Sequence, residues 1–147
     1  MCDCIFCGFV KGIETSHING SDFKILNETK YSISFLSIDF IPNADAHIIV
    51  IPKKHYEFFE QMPNYVINDL MKNVKKIGKI LNIENDGYNI LLNNGSSAGQ
   101  FIPHAHFHII PRKKGDGIEI ETWNKLKVTK REYNKTFDKM KGFLDSK

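Results

Sequence analysis

Residues 103–112 read Pro103-His104-Ala105-His106-Phe107-His108-Ile109-Ile110-Pro111-Arg112, and their alternation decides what kind of fold the chain needs. In an extended chain successive side chains point to opposite faces, so His104, His106 and His108 share one face while Ala105, Phe107 and Ile109 share the other. Ala105 to Ile110 is therefore expected to be a strand, ended by Pro111, with an apolar face for a core and an imidazole face for chemistry. A single strand histidine is ordinarily a hydrogen-bonded core residue; three in succession on one face are costly to bury without a task.

Other strands are expected to pair with this one. Phe23 to Leu26 and Tyr31 to Ile38 form a hairpin through the turn Asn27-Glu28-Thr29-Lys30. Ala46 to Ile51 makes a third strand, stopped by Pro52, and Gly87 to Leu92 a fourth, stopped by the polar Asn93-Asn94-Gly95-Ser96-Ser97-Ala98-Gly99. Between them Ile67, Leu70, Met71, Val74, Ile77 and Leu81 recur at helical spacing, with Lys72, Lys75, Lys76 and Lys79 on a solvated stripe. Thr129 to Leu144 is expected to be a last, basic helix with Tyr133, Phe137, Met140 and Leu144 on its apolar side. Lys113 to Lys127 reads as loop, with Trp123 anchoring a core or a subunit contact. Strands joined by turns, with helices added, give an α+β class with an antiparallel sheet of about five strands.

A chain of 147 residues with 41% hydrophobic content suits one domain with its own core. Residues 1–112 carry the motifs, and the loop and helix of 113–147 are expected to belong to the same compact unit. Twenty basic against seventeen acidic residues leave a formal charge of +3, too little to argue for nucleic acid or an acidic membrane as partner. No apolar run approaches the ~20 residues of a membrane span, and the first residues lack a secretory leader's apolar stretch, so a cytoplasmic setting is expected.

All three cysteines, Cys2, Cys4 and Cys7, fall within the first seven residues. In a reducing compartment such a cluster points to metal thiolates rather than disulfides. The histidine row by itself is a poor metal site: at ~3.3 Å per residue, His104 and His108 lie about 13 Å apart along a regular strand. One zinc ion with bonds of ~2.0–2.1 Å to nitrogen cannot span that. The row must be divided between tasks. Cys4-Ile5-Phe6-Cys7 is a C-x-x-C half-site needing two more ligands, and His104 and His47 are the candidates. His55, after Lys53-Lys54, reads as an exposed polar turn, and His17, near Asn19-Gly20, as a surface residue.

The row His104-Ala105-His106-Phe107-His108-Ile109-Ile110 resembles the signature of the histidine triad (HIT) family. Ala46-His47-Ile48-Ile49-Val50-Ile51-Pro52-Lys53-Lys54-His55 is similar to that family's upstream strand and turn, and Asn93-Asn94-Gly95-Ser96-Ser97-Ala98-Gly99-Gln100 to the loop before its triad. The likeness runs from Cys4 to about Arg112. It implies a half-barrel-like antiparallel sheet with helices, a homodimer and a purine nucleotide as substrate. It also implies His106 as nucleophile, His108 on the phosphate oxygens, Asn93, Ser97, Gly99 and Gln100 around the phosphate, Asp39 on the ribose and Phe40 beside the base. The zinc-containing bacterial members suggest Cys4, Cys7, His47 and His104 as the ligands of a structural Zn2+. Phe101 stands where some eukaryotic members have a serine.

A neutral histidine offers a nitrogen lone pair without a strong base to activate it, so His106 is suited to direct attack on an α-phosphorus. The reaction class implied is hydrolysis or nucleotidyl transfer on nucleoside phosphoramidates or dinucleoside polyphosphates, through a nucleotidyl-histidine. Two rivals are a slow purine-nucleotide-binding regulator, which would form no such adduct, and a zinc hydrolase, which would need an open metal position.

Overall fold

The computed structural model describes residues 4–16, 20–120 and 122–146. Helix α1 spans Ile5–Lys11, β1 Ile25–Glu28, β2 Ser32–Leu36, β3 Ile48–Pro52, α2 Asn64–Leu81, β4 Gly87–Leu92, β5 Phe107–Arg112 and α3 Lys130–Asp145. The five strands form one antiparallel sheet in the order β1-β2-β3-β5-β4, as expected for the α+β class.

The parity of the histidine row organises the whole molecule. Ala105, Phe107 and Ile109, together with Ile48 and Val50 of β3, join Val66, Leu70, Val74, Ile77 and Leu81 of α2 in one core. On the other face Ile33, Phe35, Ile49 and Ile51 meet Cys4, Phe6, Cys7 and Phe9 from the N-terminal segment. The sheet is thus buried on both sides, and the histidines lie on the α1 side.

The row itself departs from the expected strand, because β5 begins at Phe107. The His104 N–H closes a tight turn onto the Ile102 carbonyl (2.8 Å) and the Ala105 N–H bonds Tyr56 O (2.6 Å), so neither enters the ladder. Only His108 is a strand residue, yet Ala105 still points into the α2 core. Pro111 does not stop the strand. β3 pairs β5 only at residues 107–109, so beyond Ile109 the strand has a single neighbour, β4, and a missing N–H on the open side leaves no ladder bond unmade. Pro52 ends β3 for the same reason, paired with Ser32 on one side only.

The hairpin sits two residues later than expected in β1, since Phe23 leaves the sheet to stack on Phe9, with ring centroids 4.1 Å apart. A polar seam fixes it to α2. Asn73, fully buried in the middle of α2, donates to Ser32 Oγ (3.1 Å) and accepts from Asn27 Nδ2 (3.0 Å). Asp69 accepts from Thr29 Oγ1, the Tyr31 N–H (3.0 Å) and Ser32 Oγ (3.3 Å). Each polar group facing the helix is thereby satisfied, which makes their burial tolerable. One turn beyond, α2 crosses β4 so closely that a Cβ on Gly78 would stand 2.5 Å from the Tyr88 ring.

At the C-terminus α3 begins on a capping box, the Thr129 hydroxyl accepting from the Glu132 N–H while Glu132 accepts from the Thr129 N–H. Its expected apolar side, Tyr133, Phe137, Met140 and Leu144, is exposed on the single chain, as is Trp123.

Candidate active site and metal centre

Cys4 precedes the first turn of α1 and Cys7 lies within it, and both thiols turn toward the histidine row. Cys4 Sγ is 3.5 Å from His104 Nδ1, Cys7 Sγ 3.7 Å from the same nitrogen, and Cys7 Sγ 3.3 Å from His55 Nδ1. With bonds of ~2.3 Å to sulfur and ~2.0–2.1 Å to nitrogen, the edge of a zinc tetrahedron is about 3.6 Å. The observed separations match that edge. All four donor atoms lie within 4.8 Å of one another, so Cys4, Cys7, His55 and His104 form a cluster able to coordinate a metal. The neighbouring carbonyl completes it: His104 Nε2–H donates to Pro52 O at 2.9 Å, which leaves Nδ1 as the lone pair among the thiols. Burial drives the His104 pKa down to about 4, so that lone pair stays available.

His47, expected as the fourth ligand, is elsewhere. Its Nδ1–H donates to the Asp39 carbonyl (2.6 Å) and its Nε2 lies 2.8 Å from His108 Nδ1. Both nitrogens are committed, and His55 takes the place by bending back from the turn after β3.

A carbonyl oxygen can only accept, so His47 must carry its proton on Nδ1 and accept at Nε2. His108 is then the donor through Nδ1, and its Nε2 is the nitrogen left for a ligand. The same logic applies to His106, whose Nδ1–H donates to the His104 carbonyl at 2.7 Å. Its Nε2 lone pair is therefore the one available for attack. The rings of His106 and His108 stand 4.8 Å apart at 70°. Burial, reinforced by neighbouring imidazoles, lowers the pKa of both, His108 to about 4. Both rings are neutral near pH 7.

His106 and His108 line a cavity of about 240 Å³ together with His47, Asp39, Ser37 and Phe101. Its apolar wall comes from Ile5, Phe6 and Phe9 of α1 with Phe35, Ile38, Ile49 and Ile102. That wall went unassigned in the sequence, although the phenylalanines within Cys4-Ile5-Phe6-Cys7-Gly8-Phe9 were a visible signal. Phe40, expected beside the base, lines a separate depression with Leu26, Leu36 and Ser37.

The polar loop before the row is also directed elsewhere. Gln100 accepts the Gly95 N–H through Oε1 (2.7 Å) and donates through Nε2 to Glu57 O (2.8 Å) and Ile102 O (3.2 Å), so its amide braces the loop. Asn93 donates to Gly99 O (3.4 Å), and the Gly99 N–H closes onto Ser96 O (2.9 Å), a turn that places Gly95 and Gly99 at φ of 93° and 86°. Ser97 and Gln100 face a neighbouring groove with Glu57, and Phe101, 95% exposed, stands on the lip between that groove and the histidine cavity. Of the expected nucleotide set, Asp39 and His108 meet at the cavity; Phe40, Asn93, Ser97, Gly99 and Gln100 do not. Cys2 and His17 lie outside the described residues.

The chain is similar to known proteins in sequence and in fold. A HIT-like protein of Methanocaldococcus jannaschii is 43% identical over 115 residues, covering 78% of this chain and 82% of the relative. An adenosine 5'-monophosphoramidase of Candida albicans is 40% identical over 116 residues, covering 75% and 70%. The crystal structure of a histidine triad nucleotide-binding protein from Candida albicans superposes with a TM-score of 0.81 at 34% identity, covering 98% of this chain and 99% of that one. Archaeal and fungal relatives of this kind do not single out the bacterial zinc-containing branch. The HIT domain pattern matches residues 20–115, and with these relatives it establishes that the chain belongs to the histidine triad (HIT) family.

Proposed function

We propose that the protein hydrolyses nucleoside phosphoramidates or dinucleoside polyphosphates at the α-phosphorus, with His106 as the nucleophile. The observation that carries this is the tautomer lock: the His106 Nδ1–H bond to the His104 carbonyl leaves Nε2 as a neutral nucleophile beside the cavity. Attack forms an Nε2–phosphorus bond and breaks the bond to the leaving amine or phosphate. His108, held through Nδ1 by His47, presents Nε2 to the phosphate region. A bound anion favours its protonated form, which then gives the leaving group its proton. Neutral again, His108 takes a proton from water, and the hydroxyl cleaves the nucleotidyl-histidine to release the nucleoside monophosphate. The phosphoramidase relative supports an amine leaving group.

Asp39 at the cavity rim is suited to the ribose hydroxyls, and the apolar wall of Phe6, Phe9 and Phe35 to a purine. The two-thiol, two-imidazole cluster fits a closed structural Zn2+, whose role is to tie α1 to the sheet. A homodimer, implied by the family likeness, completes the proposal.

The test is His106→Ala assayed on adenosine phosphoramidate and diadenosine polyphosphates. Turnover is expected to vanish while AMP binding persists, and rapid quenching of the wild-type reaction should trap a nucleotide on His106. Retained turnover in the variant would reject the assignment; wild-type protein that binds AMP but forms no adduct would favour a regulator.

A further inference from the structure

The metal cluster and the histidine cavity share one wall. Phe6 lies between the two thiols in sequence and is buried. Its ring meets His104 edge-on at 5.7 Å and His106 edge-on at 5.4 Å, both at 77°. One ring therefore touches both a metal donor and the attacking imidazole. His104 supplies a second link, since its ring faces the thiols while its carbonyl holds His106. Helix α1 has seven residues, too few to persist on local hydrogen bonds, so its position depends on what anchors it. At one end the anchor is the pair of cysteines; along its inner side it is the ring cluster of Phe6, Phe9 and Phe35.

From this geometry we propose that metal occupancy and nucleotide binding are coupled through Phe6, each strengthening the other. Metal held by Cys4, Cys7, His55 and His104 fixes α1, and with it the apolar wall against which a base would lie. A nucleotide pressing on that wall holds the two cysteines in ligating position in return. Phe6 acts here as a positioning residue, and no charge or proton passes through it. The proposal rests on assigning the cavity to a nucleotide.

Coupling of this kind is reciprocal and so can be read from the metal side without assaying turnover. Apparent zinc affinity is measured by chelator competition on the intact protein with and without saturating AMP, alongside calorimetric titration of AMP into zinc-loaded protein. AMP is expected to tighten zinc at least about fivefold in the wild type. Phe6→Leu, or Phe6→Met should leucine not fold, is expected to bind one zinc yet lose more than half of that effect. Unchanged zinc affinity in a protein that does bind AMP overturns the coupling and leaves the pocket standing. Failure of the loaded protein to bind AMP overturns both, and a full effect in the Phe6 variant overturns the role of Phe6.

Discussion

Replacing His55 by alanine removes one of the four donors of the cluster, and the consequence can be sized. Structural zinc in small domains is bound with roughly 10–16 kcal/mol, so one ligand of four accounts for roughly 2.5–4 kcal/mol on average. At about 1.4 kcal/mol per decade, zinc affinity should fall by a factor on the order of 100 to 1,000. Because α1 is tied to the sheet by the cluster, the same free energy is lost from folding at fixed metal; for a chain of this size that is a fall of roughly 5–16 °C in Tm. His47→Ala is the paired measurement. It removes no cluster donor, since both ring nitrogens are spent on Asp39 O and His108, so zinc content should be near wild type while turnover falls, and the fall in Tm comes only from the two lost hydrogen bonds, about 1–3 kcal/mol. Elemental analysis, chelator competition and thermal melts read all three quantities. Wild-type zinc affinity in His55→Ala together with metal loss in His47→Ala would refute the ligand assignment.

Acid should destabilise the fold through His108. Its folded pKa of about 4 lies below the unfolded value near 6.5, so the unfolded chain binds more protons between these limits. Stability from this group is full above about pH 6.5 and is lost as pH falls toward 4; melts of His108→Asn should show a shallower acid slope than wild type, and an unchanged slope would contradict the burial argument. Asn73→Ala leaves Asn27 Nδ2 without its acceptor in the hairpin seam and removes one of the bonds to Ser32 Oγ, a loss of about 1–3 kcal/mol measurable by urea titration. Gly78→Ala drives a methyl into the Tyr88 ring and should cost about 1–3 kcal/mol, despite alanine's better helix propensity.

Periodicity carried most of the architecture. The fourth strand was legible to the residue, because Gly87 and the polar run after Leu92 punctuate it. The main helix was legible from Leu70, Val74, Ile77 and Leu81, which do face the sheet. The alternation of the histidine row held its meaning even where the strand did not form. What escaped was tertiary. His55 stands 48 residues from Cys7, and nothing local says that a turn after a strand will bend back onto a helix near the N-terminus. His47, at the start of a strand and within the ligand set that the family likeness implies, reads as a metal ligand; its actual partners are a backbone carbonyl and another imidazole, neither of which leaves a mark in the sequence. The Gln100 amide likewise braces its own loop, a use that composition cannot distinguish from contact with a ligand.

The opposed parity of residues 104–109 has a bearing on how such a protein can change over generations. Side chains at 106 and 108 face the cavity and not the α2 core, so substitution there alters the chemistry without reaching Ala105, Phe107 or Ile109. Loss or gain of one residue in the same segment would exchange the two sets, sending imidazoles against α2 and aliphatic groups into the cavity. Variation in this stretch is therefore open in identity only at the two cavity positions and closed in length.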